Sequence, residues 1–269
     1  MADNKYKKTS IIIVKIFFFF TLFIGAIYHF QRNMMYFPTN EQFIPSQYNL
    51  GDMELITLET EDKHTIKGLY KKPISEDRPT IIFFHGNAGH IGHREYKIRP
   101  LINAGYGVLL AEYRGYGFND GDISEENFYK DARAYINLVK DNSEIILYGE
   151  SIGSGVATQM ATEFEIKALI LETPFDSALN VAKKTYPFIP FIDLLMHDKY
   201  LNDEKIPNIN APKLFLLAKN DQVVGFNGGK RLADLADSNK QVNIFESAGH
   251  NNIYQYNAHE KIISFINGL

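Results

Sequence analysis

Residues 11–30 form a nearly unbroken apolar run whose only full charge is Lys15, near its start. At about 1.5 Å per residue a helix of this length crosses the roughly 30 Å hydrocarbon core of a bilayer, and Lys15 is close enough to one end to reach the headgroups. A buried core helix rarely runs so far without polar positions. A cleaved secretory signal has a shorter apolar region that ends in a small-x-small site. The exit Tyr28-His29-Phe30-Gln31-Arg32-Asn33 offers no such site. Residues 1–34 are therefore expected to be a cytoplasmic stub and an uncleaved transmembrane anchor.

From residue 35 the pattern changes to short apolar runs rich in branched residues, alternating with segments of helical period. Strands are predicted over Met53–Leu58, Thr65–Tyr70, Thr80–Phe84, Gly107–Ala111, Glu144–Tyr148, Lys167–Leu171, Lys213–Leu217 and Gln241–Phe245. Helices are predicted over Ile91–Ala104, Ser124–Lys140, Ile152–Phe164, Gly228–Ala236 and Ile253–Asn267, with Ser124 as an N-cap followed at the third position by Asn127. Strands apolar on both faces, separated by helices, imply an α/β domain: an eight-stranded, mostly parallel sheet covered by helices and preceded by an antiparallel hairpin. No repeat or linker divides residues 35–269, which fit a single domain. Ligands of such sheets bind beyond the carboxyl ends of the strands.

Composition adds limits. The 269 residues carry net charge −4 and no Cys, which excludes a disulfide framework, a thiolate nucleophile and a Cys-ligated metal. The anchor segment, with five basic residues and one acidic, carries +4, so residues 35–269 carry −8. No basic stripe marks a nucleic-acid partner. Lys5, Lys7, Lys8 and Lys15 precede or open the apolar run and only Arg32 closely follows it, so the positive-inside bias puts the N-terminus in the cytoplasm and the domain on the exported side.

The predicted strand ending at Tyr148 runs into Gly149-Glu150-Ser151-Ile152-Gly153 and then into a helix. G-x-S-x-G between a strand and a helix is the turn that exposes a serine nucleophile, and its glycines let strand and helix approach. Serine needs a general base, itself oriented by a carboxylate, and in this topology acid and base follow the nucleophile after late strands. Asp221 follows the Lys213–Leu217 strand and His250 follows the Gln241–Phe245 strand, so Ser151, Asp221 and His250 are the candidate catalytic triad. Glu172, after the Lys167–Leu171 strand, is the rival acid, with bonding to loop amides as its alternative role. The backbone N–H groups of Asn87, in His85-Gly86-Asn87, and of Ile152 are the candidate oxyanion donors. His85 is read as a loop brace. His90 and His93 have the spacing of a metal pair but no carboxylate or third His beside them in sequence, so a solvated helix start is expected. Neither a metal nor a cofactor is expected.

Taken in order, His85-Gly86-Asn87-Ala88-Gly89, Tyr113-Arg114-Gly115-Tyr116-Gly117, Gly149-Glu150-Ser151-Ile152-Gly153, Glu172-Thr173-Pro174-Phe175, Asn220-Asp221 with Val223-Val224, and Gly249-His250-Asn251 resemble the blocks of the membrane-anchored α/β-hydrolase-domain serine hydrolases. That group includes the bud-emergence-related proteins and the abhydrolase-domain lipases and depalmitoylases. The resemblance covers nearly all of the domain after the anchor, extends to Tyr36-Phe37-Pro38, and implies the α/β-hydrolase fold, the same triad and esterase-type hydrolysis. One departure is Asn119, where relatives commonly have Ser. The depalmitoylating relatives carry an N-terminal cysteine cluster that this chain lacks, so that substrate transfers poorly. The long segment 173–212, with Tyr186-Pro187-Phe188-Ile189-Pro190-Phe191-Ile192, is expected to be a lid or a cover for the sheet edge. A small-molecule ester or thioester, acyl or lipid-like, is the expected substrate, with a peptidase or a non-catalytic membrane-tethered scaffold as alternatives. Oligomeric state is not legible.

Overall fold

The computed structural model describes residues 2–39, 41 and 43–269; the side chains of Lys5, Lys7 and Lys8, on which the orientation argument partly rests, lie outside what it describes. Helix α1 (Ala2–Met35) is continuous, and its portion from Thr9 to Met35 has mean hydropathy 2.5 and is long and apolar enough to cross a membrane. Its apolar side chains from Ile11 to Phe20 all face outward. An uninterrupted apolar surface of this kind has no stable place in water.

The eight expected strands all form: β1 (Glu54–Glu59), β2 (Thr65–Lys71), β3 (Thr80–Phe84), β4 (Gly107–Ala111), β5 (Ile145–Glu150), β6 (Ala168–Glu172), β7 (Lys213–Ala218) and β8 (Lys240–Phe245). They make one sheet in the order β8-β7-β6-β5-β3-β4-β2-β1. The β1–β2 hairpin is antiparallel, β2 joins β4 antiparallel, and every other pairing is parallel. Alternating residues explain the two-sided burial. Phe84, Leu109, Leu147, Leu171 and Phe215 pack on one face with helices α3 (Glu125–Val139) and α4 (Ile152–Glu163). Phe83, Val108, Tyr148, Ile170 and Leu214 pack on the other with α2 (Glu95–Asn103) and the C-terminal helix. The fold is the α/β-hydrolase fold.

Two expected helices are broken, each for a local reason. The 91–104 helix is a 3₁₀ turn (Ile91–Arg94) followed by α2, because Arg94 leaves helical geometry at φ −108°, ψ 6°. The 253–267 helix is likewise a 3₁₀ turn, then Asn257 in the left-handed region at φ 60°, then a helix over Ala258–Ile266; Asn tolerates that conformation better than most residues. Ser124 caps α3 by accepting from the Asn127 amide at 3.1 Å.

Segment 173–212 holds three short helices, α5 (Ala178–Thr185), α6 (Ile192–Leu195) and α7 (Asn202–Lys205). Tyr200, Ile206 and Ile209 belong to the core, whereas Phe188, Phe191 and Leu194 are exposed. Its first half, through Ala178, Val181, Ala182 and Tyr186, lines the cavity that holds Ser151.

Candidate active site

Strand β5 runs two residues beyond its apolar pattern and delivers Ser151 directly to the start of α4. Ser151 sits at φ 51°, ψ −117°, a conformation that a side chain normally avoids and that persists only where its surroundings enforce it. The glycines enforce it. A methyl on Gly149 would collide with the Gly153 carbonyl, and one on Gly153 with the Phe84 carbonyl of β3. The Ser151 amide is held by the Glu172 carbonyl of β6 at 2.9 Å.

The three residues expected after β5, β7 and β8 meet here. His250 Nε2 lies 2.8 Å from Ser151 Oγ, and His250 Nδ1 lies 2.7 Å from Asp221 Oδ2. The other carboxylate oxygen, Asp221 Oδ1, accepts from the amides of Val223 at 2.9 Å and Val224 at 3.0 Å. Burial alone would raise the Asp221 carboxyl, but the His250 bond and these two amides outweigh it and hold it below its ordinary value. Arranged this way, the imidazole can take a proton from the serine hydroxyl while a fixed negative charge stabilises the cation that forms.

Asn87 and Ile152 both line the cleft beside Ser151, a cavity of 320 Å³ that is also walled by Met34, Tyr186 and Val224. Asn87 is held from its carbonyl, which accepts from the Phe37 amide and the Tyr116 hydroxyl, each at 2.8 Å. Its side-chain amide donates to the Met35 carbonyl at 2.9 Å, and Phe37–Pro38 pairs in parallel with Ala88–Gly89. The chain leaving α1 thus braces the loop that carries a candidate oxyanion donor.

Residues 75–202 match the family described as serine aminopeptidase, S33. Over 234 residues the chain is 32% identical to an uncharacterized protein of Mycobacterium tuberculosis, covering 85% of this chain and 83% of that protein. It is 33% identical over 196 residues to lysophosphatidylserine lipase ABHD12 of Danio rerio, covering 65% of this chain and 51% of that one. Among solved structures, an esterase of Pyrococcus furiosus matches with TM-score 0.68 at 19% identity, over 87% of this chain and 97% of that chain. The chain belongs to the α/β-hydrolase-domain serine hydrolases.

In this hydrolase the nucleophile turn stands on a buried charge cluster that its sequence pattern did not announce. Arg94 donates to Glu150 at 2.9 and 3.4 Å and to the Ala88 carbonyl at 2.8 Å, so it ties the nucleophile turn to the Asn87 loop. Lys97 lies 2.6 Å from Glu172 and 3.1 Å from Glu150. Glu172 was expected to bond loop amides if it were not the acid. Instead its carboxylate takes the Lys97 ammonium and, at 2.5 Å, the Tyr148 hydroxyl, and its place in the cluster leaves His250 to Asp221. Burial would raise the Glu150 carboxyl, but Arg94 and Lys97 together hold it well below its usual range; burial raises that of Glu172, with the like charge of Glu150 adding to it. The available signal was helical: Arg94, Lys97, Ile98 and Leu101 recur at the spacing of a buried face.

The remaining histidines divide. His85 is fully buried, donates from Nδ1 to the Gly86 carbonyl at 2.7 Å, and has Nε2 2.8 Å from Glu112, though at an angle poor for a hydrogen bond. That position fits the expected brace. His90 is a correction: it is fully buried rather than solvated, and it caps the 3₁₀ turn by accepting from the Gly92 amide at 3.0 Å. A carboxylate absent from its sequence neighbourhood, Glu41, stands 3.3 Å from its Nε2, and the ligand atoms of Glu41, His90 and His93 lie within 4.8 Å of one another. Because His90 Nδ1 accepts a hydrogen bond, its proton resides on Nε2 and faces Glu41, leaving no lone pair there for a metal. Asn119, the departure from relatives, accepts from the Lys67 amide at 2.8 Å and donates to the Lys67 and Glu112 carbonyls at 2.9 and 3.0 Å, bridging β2 to the end of β4 as a shorter Ser could not.

Proposed function

We propose that the hydrolase cleaves carboxylic esters or thioesters of acyl or lipid-like substrates through Ser151, His250 and Asp221. The observation that carries the reading is the unbroken chain of contacts from Ser151 Oγ through the imidazole to a carboxylate anchored by two backbone amides. Ser151 Oγ attacks the acyl carbon while its proton passes to His250 Nε2. The tetrahedral oxyanion faces the amides of Asn87 and Ile152, each such donor contributing about 2.7 to 4 kcal/mol. The carbonyl-to-leaving-group bond breaks, His250 protonates the departing alcohol or thiol, and water activated by His250 then hydrolyses the acyl-enzyme.

The lipase likeness and the apolar first half of segment 173–212 support an acyl substrate, with that half serving as the lid of a catalytic domain spanning residues 35–269. In this reading the domain hangs on one N-terminal span, with the N-terminus in the cytoplasm. The family description that names an aminopeptidase finds little support in the cleft: among the described lining residues there is no carboxylate to hold a peptide's α-ammonium. Labelling of the full chain by a fluorophosphonate, lost in Ser151→Ala, is the expected result. A folded wild type that neither labels nor cleaves any of a series of nitrophenyl esters ends the proposal.

A further inference from the structure

A second cavity, of 110 Å³, adjoins the cleft at Ser151. Met34, Met35, Ala182, Tyr186 and Met196 line both, so the two lie side by side at the C-terminal end of the anchor helix. Ile27 of α1 and Ile192 and Leu195 of α6 line only the second cavity, at its end away from Ser151. Among the described lining residues the polar side-chain groups are the Tyr186 hydroxyl and the Gln31 amide, and the amide is already committed. Gln31 donates to the Leu195 carbonyl at 3.0 Å and accepts from the His197 amide at 2.8 Å. The passage is therefore apolar.

Its walls are fixed in relation to each other. Arg32 forms a two-pronged pair with Asp198 at 2.8 and 3.1 Å, and the hydroxyls of Tyr36 and Tyr200 meet at 3.0 Å. With the two Gln31 bonds, these contacts latch the anchor helix to segment 195–200. Ile27 lies about one turn inside the apolar run 11–30, so the far end opens at the depth where the span enters the bilayer. Just there Phe191 and Leu194 are 74% and 78% exposed, and Phe191 is held at a left-handed φ of 53°, costly for an aromatic residue. Side chains so apolar, flanking a membrane span, are covered by lipid.

We propose that the two cavities form one acyl channel whose mouth faces the bilayer, so that the enzyme draws a single-chain lipid ester sideways out of the membrane. Its tail lies between Ile27 and Leu195, and its carbonyl sits at Ser151. This rests on the ester-hydrolase reading above. A combined space near the lower limit of small-molecule sites, roughly 300 to 1,000 Å³, suits one chain better than two.

The test uses the full chain in phospholipid nanodiscs and a long-chain alkyl fluorophosphonate bearing a photoreactive group at its tail. The expected result is attachment at Ser151 and, after irradiation, cross-links to peptides spanning 24–35 and 186–196. Cross-links confined to the Val223–Val224 wall overturn the channel. In parallel, Ile27→Trp and Leu195→Trp should each lower the ratio of kcat/KM for dodecanoyl over butanoyl nitrophenyl esters by about tenfold, as expected for the loss of about two buried methylenes. Labelling by a short-chain fluorophosphonate checks that each variant is folded. Hydrolysis that persists with an unchanged ratio refutes the channel alone. Absence of reaction with every ester and probe refutes the hydrolase reading beneath it.

Discussion

Replacing Asp221 with Asn is a severe test of the triad because the structure dictates how the new side chain must sit. Two backbone amides, Val223 and Val224, point at one oxygen of the carboxylate at 2.9 and 3.0 Å. Turning the amide so that its NH₂ faced those amides would set donors against donors, so the Asn oxygen must stay there and the NH₂ must face His250 Nδ1. That imidazole nitrogen, which now donates to Asp221 Oδ2 at 2.7 Å, would have to accept instead. Its proton then moves to Nε2, the atom 2.8 Å from Ser151 Oγ, and the base can no longer accept the serine proton. The expected loss is about 10⁴ in kcat with little change in KM, or roughly 5.4 kcal/mol of barrier at about 1.36 kcal/mol per tenfold. The assay is steady-state hydrolysis of a nitrophenyl ester, with the thermal midpoint measured beside it to exclude unfolding. Retention of more than about a tenth of wild-type kcat, or a larger loss in Glu172→Gln than in Asp221→Asn, would sink the assignment of the acid.

Two further outcomes follow from the buried charges. Arg94→Met leaves Glu150 with Lys97 alone and frees the Ala88 carbonyl; removal of one partner of a buried pair should cost about 3 to 5 kcal/mol of stability, read by chemical denaturation. The same variant should lower kcat more than it raises KM, because Arg94 links the nucleophile turn to the Asn87 loop without lining the substrate cleft. Equal stability and unchanged kcat would remove Arg94 from any positioning role. The second outcome concerns acid. Asp221 has a folded value below its ordinary 3.8, so its contribution to stability is complete above that pH and is lost as pH falls through the folded value. Thermal midpoints should therefore be level near pH 6 and drop below about pH 4 by less in Asp221→Asn than in the wild type. An identical acid profile in both would contradict the sign of that shift.

Much of the molecule was legible along the chain because the signals are local. Period-two and period-3.6 patterns report how a segment is buried, and a G-x-S-x-G turn is tight whatever packs around it. So the eight strands, the long apolar helix and the sites of Ser151, Asp221 and His250 could be placed without the fold. Helix breaks at Arg94 and Asn257 escaped notice, because a single residue's backbone conformation depends on what its side chain reaches.

What only the tertiary structure decided is which distant segments share a space. Glu41 meets His90 across 49 positions, and Lys97 meets Glu172 across 75. Met34, Met35 and Phe37, read from sequence as the end of an anchor and its exit, line the cleft at Ser151 and brace the loop of Asn87. No periodicity encodes such a meeting, since an apolar side chain has the same signature whether it faces lipid, core or substrate. The difference lies in the packing of α1 against the segment that follows β6. By itself the sequence pointed to the chemistry proposed for Ser151, Asp221 and His250; the fold decided that the long apolar N-terminal helix forms part of the wall around them.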